Sequence, residues 1–284
     1  MWKIGLNLQA QIWFKSIRFG SALMKINDIR SVLESIAPPH LQESYDNSGL
    51  IVGDPGLEVS GVLFCLDSTE AIVHEAIARG CNLIVAHHPI VFRGLKRFNG
   101  TNYVERTVML AIRHNIAIYA IHTNLDNVYR QGVNSRIAEK IGLLETRILA
   151  PKPEDFEIGA GLLGNLPKPM GETEFLQHLK TVLKTNCIRY TALRGKPIRK
   201  VAVCGGSGSF LLSEALRAKA DAFVSADFKY HEFFDAEGRL VIADVGHFES
   251  EQFTVELLRD IVQEKFPTFA LHLTEINTNP VLYL

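Results

Sequence analysis

A short apolar run that stops at two adjacent histidines constrains this chain most. Leu83, Ile84, Val85 and Ala86 form a run of the length of a buried strand, His87 and His88 follow at once, and Pro89 prevents the strand from continuing. Polar side chains at the carboxyl end of a buried strand sit where open α/β sheets place their binding sites. Adjacent residues of a regular strand face opposite ways, so both imidazoles can serve one site only if the chain turns here, and Pro89 suits a turn. A lone histidine in such a place is more often a satisfied core residue. A pair is a candidate metal site, because imidazole is the commonest protein metal ligand.

The flanking sequence alternates strand-like and helix-like segments. Asn27 or Asp28 can cap a helix to Ile36, which Pro38 and Pro39 end. Asp46, Asn47 and Gly49 have turn chemistry ahead of a short strand over Leu50 to Val52. Val62 to Leu66 reads as a strand, and a helix capped by Ser68 or Thr69 runs to Arg79 and stops at Gly80 before the Leu83 strand. This β-α-β unit implies parallel pairing with a right-handed crossover. Further on, helices are expected over Tyr103 to His114, Val133 to Ile141, Thr173 to Leu183, Ser209 to Lys219 and Glu251 to Lys265. Strands are expected over Ile116 to Ile121, Ile158 to Leu163, Lys200 to Cys204, Ala222 to Ser225, Leu240 to Val245 and Ala270 to Glu275.

The chain also matches itself. A shift of 139 residues lays Val62–Asp67 over Val201–Gly206, pairs Cys65 with Cys204 and Val85 with Val224, and puts His88 over Asp227. A shift of 125 lays Ile116–His122 over Val241–His247, so His122 and Asp126 fall on His247 and Glu251. Both are apolar strands ending in a histidine with an acid four residues on. The expected fold is therefore α/β, two similar lobes related by an internal repeat, with a metal site in the cleft between them. The expected division is an extension over residues 1–23, a first lobe over 24–150, a second over 151–250 beginning at a proline- and glycine-rich boundary, and a terminal helix and strand over 251–284 that pack back on the first lobe.

Collected from those strand ends, the candidate functional groups are His87, His88, His122, Asp126, His247 and Glu251. If a helix begins near His247, the spacing of four puts His247 and Glu251 on one face. Imidazoles with carboxylates suit zinc, iron or manganese, and carboxylates can bridge two cations as two-metal hydrolysis requires. No thiolate belongs to the set, which argues against a closed structural zinc site. Other features point less directly to chemistry. Gly205–Gly208 could offer backbone N–H groups to a phosphate, although it lacks a P-loop lysine and suits a tight turn. His231, in the segment SADFKYHE, could act as a general acid or base. Arg93, Lys96 and Arg97 make a basic loop near the histidines that could attract phosphate. Ser68 and Ser207 have no neighbouring base and read as caps.

Composition narrows the setting. A formal net charge of −1 gives no overall pull toward nucleic acid or membrane, though a local basic patch is compatible with it. The four cysteines form no CxxC pair, which fits reduced thiols in a cytoplasmic protein, and no apolar run has the length of a membrane-spanning helix. Residues 1–23 carry Lys3, Lys15 and Arg18 as their charges and are too poor in arginine and serine for a usual transit peptide.

The segments YDNSGLIVG, VAHHP, HTNLDNV, VAVCGGSG, SADFKYHE and DVGHFESE together resemble the YbgI-like dinuclear metal proteins, also called GTP cyclohydrolase 1 type 2 homologues. The resemblance runs from Met24 to the end of the chain, with Ala226 where members often have glycine. It implies that His87, His88, Asp126, His247 and Glu251 hold two divalent metal ions, with Asp126 bridging, and that His122 lines the site. It also implies two α/β lobes assembled as a homo-oligomer, a toroidal hexamer with its metal sites facing the interior. The expected activity is metal-dependent hydrolysis of a small-molecule nucleotide, opening the purine ring of GTP, with His122 or His231 moving protons. A ring-shaped metal-binding scaffold or adaptor for a protein or nucleic-acid partner is the rival expectation.

Overall fold

The structure, a computed structural model, describes residues 24–153 and 155–284. The extension expected over 1–23 lies outside the described residues. Helix α1 (Ile26–Ile36) buries Ile26, Ile29 and Leu33 on one face, and its first turn is closed by Asp28, whose Oδ2 accepts from the Lys25 backbone N–H at 2.8 Å. Strands β1 (Gly49–Val52) and β2 (Val62–Cys65) follow. Helix α2 (Glu70–Ala78) is capped by Thr69, which accepts from the Ile72 N–H. Strand β3 (Leu83–Ala86), helix α3 (Tyr103–Arg113), strand β4 (Ala117–Ala120), the single turn α4 (Thr123–Asp126) and helix α5 (Val133–Ile141) complete the first half. Gly142 stops α5 at a φ of +83°, which a residue without Cβ adopts freely.

The second half begins with a hairpin, β5 (Leu144–Lys152) and β6 (Asp155–Met170), then helix α6 (Glu172–Val182). Strands β7 (Arg189–Tyr190) and β8 (Ile198–Ser207) precede helix α7 (Leu212–Arg217). Strands β9 (Ala222–Ala226) and β10 (Val241–Asp244), helices α8 (His247–Glu251) and α9 (Thr254–Lys265) and strand β11 (Leu271–Leu273) close the chain.

The strands form two sheets, ordered β1-β4-β3-β2-β11 and β5-β6-β8-β9-β10-β7. In the first, β4, β3, β2 and β11 run parallel and β1 lies antiparallel on β4. In the second, β8, β9 and β10 run parallel, β7 lies antiparallel on β10, and β6 antiparallel on β8. Thus β1-β4-β3-β2 and β7-β10-β9-β8 have the same order and sense, each with its first strand reversed at one edge. The repeat in the sequence is a repeat in topology, and the fold is two similar α/β lobes.

Alternation along each strand decides the layering. Val62 and Phe64 of β2 face a core shared with Val201 and Val203 of β8, and α1, α5, α6 and α9 fill that interior between the sheets. Leu63 and Cys65 face outward onto α2 and α3, as Ala202 and Cys204 face outward onto α7. Full burial of a side chain such as Phe64 or Phe175 contributes about 1.5–3 kcal/mol.

Several segments differ from the sequence reading, the unexpected edge strand β7 among them. The short strand expected over 158–163 is the centre of a strand of 16 residues, and β5 belongs to the second sheet although it begins at Leu144. The prolines that suggested a boundary are accommodated at irregular places. Register shifts between Pro151 and Lys152 and between Asn165 and Met170, and the first shift lies on an edge strand. The helix expected from Ser209 is a 3-10 turn, Ser209–Leu211, followed by the short α7. The long helix expected from Glu251 is broken after that residue, so α8 is a separate helix beginning at His247.

Candidate metal centre

The site forms where the carboxyl ends of the parallel strands of both lobes meet. His87 and His88 leave β3 with their backbone N–H groups still bonded to Cys65 and Leu66 carbonyls of the β2 side, at 3.2 and 2.9 Å. His122 follows β4, and the first turn of chain beyond it carries Asp126. His247 opens α8 and Glu251 ends it, so the spacing of four brings His247 Nε2 to 3.1 Å from Glu251 Oε2.

Each imidazole is oriented by a partner at Nδ1. His87 Nδ1 meets the Ile121 carbonyl at 2.8 Å. His88 Nδ1 meets Asp67 at 2.8 Å, His122 Nδ1 meets Asp46 at 2.8 Å, and His247 Nδ1 meets Asp227 at 2.6 Å. Such partners fix the tautomer and leave Nε2 free to act, the usual arrangement around a metal-binding histidine. Asp227 reaches His247 from a left-handed backbone, φ +58°, which aspartate tolerates better than most residues. Asp46 is held in turn by Thr123, whose N–H donates to it at 3.0 Å.

The Nε2 atoms converge on Glu251. His88 Nε2 lies 3.0 Å from Glu251 Oε2, and His87 Nε2 lies 3.9 Å from Glu251 Oε1 and 3.7 Å from Asp126 Oδ1. His88 Nε2 and His247 Nε2, from different lobes, are 3.4 Å apart. The His122 ring stands edge-on to His87 and His88, its centroid 5.3 Å from each. Two triplets, His87–His88–His122 and His88–His247–Glu251, each place ligand atoms within 4.8 Å of one another.

Two atoms test whether this set fits a cation. His87 Nε2 and Asp126 Oδ1 are buried without any hydrogen-bond partner. A buried polar atom left unpaired costs about 1–3 kcal/mol, and here two such atoms face each other across one gap. A divalent ion would satisfy both, and the nitrogen–oxygen donor set suits zinc, iron or manganese.

Protonation follows from the same crowding. Burial opposes a charged His88, but its bonds to Asp67 and Glu251 overcome this and raise its pKa to about 9. Burial likewise opposes charge on His247, and the Glu251 and Asp227 carboxylates push it up to about 11. Burial raises Asp126. Glu251 is held well below the usual carboxylate range despite its burial, chiefly by the charge of His247. Protons on His88 and His247 therefore balance the carboxylates wherever no metal does so.

A cavity of about 940 Å³ opens onto the centre. His88, His122, Asp126, His247 and Glu251 line it, and His87 lies fully buried behind them. His231 is not brought in. It sits exposed on a 3-10 turn, Tyr230–Ala236, its ring 5.1 Å from that of Tyr230 and outside the cavity wall. Phe92 lines the cavity, but Arg93, Lys96 and Arg97 do not. The glycine segment is no phosphate cradle: Gly205 N–H donates to Asn134 and Gly206 N–H to Ser250, both at 2.9 Å. Gly206 instead makes room for the centre, since a Cβ there would lie 2.3 Å from Glu251 Oε1.

Sequence reasoning missed the orienting carboxylates Asp46 and Asp67. Asp46 reads as a turn residue beside Asn47, and Asp67 as a strand end. The signal available for Asp67 was its place at the end of β2, beside the strand carrying the histidines.

Three comparisons bear on this geometry. Residues 24–280 match the sequence profile of the Duf34/NIF3 (NGG1p interacting factor 3) family. The chain is 35% identical over 243 residues, 85% of its own length and 92% of the relative's, to a Clostridium perfringens protein called "GTP cyclohydrolase 1 type 2 homolog". A Bacillus cereus protein described as related to NIF3 superimposes with a TM-score of 0.85 at 26% identity, covering 92% of this chain and 99% of that one.

Proposed function

Because the chain belongs to the Duf34/NIF3 family, we propose that its imidazole–carboxylate centre holds two divalent cations and serves hydrolysis of a purine-type heterocycle. The carrying observation is the pair of buried, partnerless atoms, His87 Nε2 and Asp126 Oδ1, facing each other beside Glu251. His87, His88, Asp126, His247 and Glu251 would hold the ions. Bound divalent cations supply Lewis acidity and bring the pKa of a coordinated water near neutrality. His122 orients and accepts a proton at Nε2, because Asp46 occupies its Nδ1 and the ring borders the cavity. His231 takes no part. The names of the relatives support GTP as the first compound to assay, with water adding at the C8 carbon of guanine and the C8–N9 bond breaking, the proton passing to N9, so that the five-membered ring opens. Exposed aromatic side chains away from the site, Tyr230 and Phe234 among them, support assembly as a homo-oligomer, for which a toroidal hexamer is the expectation. The free cysteines, with Cys65, Cys81 and Cys204 buried, support a cytoplasmic location.

Protein loaded with zinc, manganese or iron(II) should consume GTP, followed by loss of purine absorbance, and His88→Ala and Glu251→Gln should abolish this. Unchanged turnover in those variants, or no turnover of any purine, rejects the reading. Tight retention of a protein or nucleic-acid partner by both variants would favour the scaffold instead.

A further inference from the structure

The cavity in front of the centre has a charge its proposed substrate must meet. Asp67, Asp126, Asp227 and Glu251 belong to the centre, and the wall adds Glu43, Asp244 and Glu249. Against these seven carboxylates the wall carries one guanidinium, Arg189, which is bonded to Asp244 and to the Phe228 carbonyl. With the imidazoles neutral, as metal ligands are, the described wall has an excess of six negative charges. Two divalent cations would cancel four of them and leave the cavity negative. Glu43 and Glu249 are not neutralised by the centre or by a lysine or arginine: Glu43 accepts from Asn127 at 2.9 Å and Glu249 from Asn279 at 3.1 Å, both uncharged amides.

Aromatic side chains make up part of the remaining wall. Tyr45 and Phe92, with ring centroids 6.3 Å apart, stand exposed at the first lobe's rim, and Phe92 packs edge-on to His122 at 6.0 Å. Phe210 and Phe248 line the side built by the second lobe. Aromatic faces take up a planar ring, and carboxylates accept from its N–H groups.

We infer that the cavity selects a planar nitrogen heterocycle carrying no phosphate, a nucleobase or nucleoside, over the corresponding nucleotide. The inference rests on the proposed function for the identity of the ring, and adds what the ring can carry: like charges brought together in a partly enclosed cavity repel, and a triphosphate would add several. The exposed cations of the 92–101 loop lie outside the wall and leave this balance unchanged.

Equilibrium binding of guanosine, GMP and GTP to the metal-loaded protein, measured by calorimetry at physiological salt, tests this without any turnover. Guanosine should bind at least about tenfold more tightly than GTP, with GMP between them. Glu43→Gln should narrow the gap. GTP binding as tightly as guanosine or more so overturns the inference, as does no guanosine binding at millimolar concentration. If that GTP affinity falls in an Arg93→Ala, Lys96→Ala, Arg97→Ala triple variant, the phosphates belong on the loop. Guanosine bound more tightly than GTP, with none of the three purines ever hydrolysed, sinks the hydrolase reading and leaves this inference standing. GTP bound tightly and turned over does the reverse.

Discussion

The two lobes share a strand order yet do different work at the same strand ends. At the end of β2 the first lobe has Asp67, which orients His88; at the end of β8 the second has Gly206, which makes room for Glu251. At the end of β3 stands His88, facing the centre; the matching residue after β9 is Asp227, which only orients His247. After β4 and β10 the lobes agree, His122 with Asp126 against His247 with Glu251. The first lobe thus supplies most of the imidazoles, and the second supplies the buried carboxylate on which imidazoles of both lobes converge. The duplicated topology brings candidate ligands and their supporting groups to matching strand ends, but assigns those two tasks differently in its two halves.

The comparison breaks first at Glu251. In metal-free protein, Glu251→Gln leaves His88 and His247 crowded without the carboxylate between them and should destabilise the fold by about 3–5 kcal/mol at neutral pH. Urea unfolding measures this, and the variant should copurify with background metal only. Next comes the pair Asp67 and Gly206. Asp67→Asn removes the negative charge behind His88 Nδ1, and Gly206→Ala drives a methyl into Glu251 at a φ of +60°. Each should weaken divalent binding about 10–100-fold, and Gly206→Ala should also lose roughly 1–2 kcal/mol of stability from its left-handed backbone. Equal effects from both would show that support from either lobe matters alike.

Protons sharpen the comparison further. His88, raised to about 9, and His247, raised to about 11, are charged at neutral pH without metal. Metal uptake should therefore release protons, visible as a dependence of calorimetric heat on buffer, and affinity should rise with pH. Stability of the metal-free protein should change in the opposite direction. A raised folded pKa contributes stability fully present below the unfolded value of 6.5 and lost as the pH rises through about 9, so urea midpoints should fall across that window. The smallest effect belongs to Thr278, which donates to Asp67 Oδ2 at 2.7 Å from the terminal segment. Thr278→Val should cost about 1 kcal/mol in the same unfolding assay.

The candidate centre was legible because its histidines follow strand ends, where an apolar run halts at a polar residue and the position can be read without knowing the fold. The i, i+4 placement of His247 and Glu251 needed only a helix to begin at His247, and α8 does. The residues that support the ligands were less legible. Asp46 belongs to a turn whose local chemistry explains it completely, and its bond to His122 spans 76 residues. The β5–β6 hairpin was hidden because Pro151, Pro167 and Pro169 read as breakers, whereas the sheet absorbs them at register shifts. His231 misled for the opposite reason: its chemistry was suitable, but the turn after β9 carries Asp227 to the site and leaves His231 exposed.

The most direct measurement is anomalous diffraction from crystals of the metal-loaded protein, collected on both sides of the zinc, iron and manganese edges. Two peaks should lie among His87, His88, Asp126, His247 and Glu251, with ligand distances of about 2.0–2.2 Å. Absence of any peak there, or a single ion bound by side chains of one lobe alone, would contradict the account.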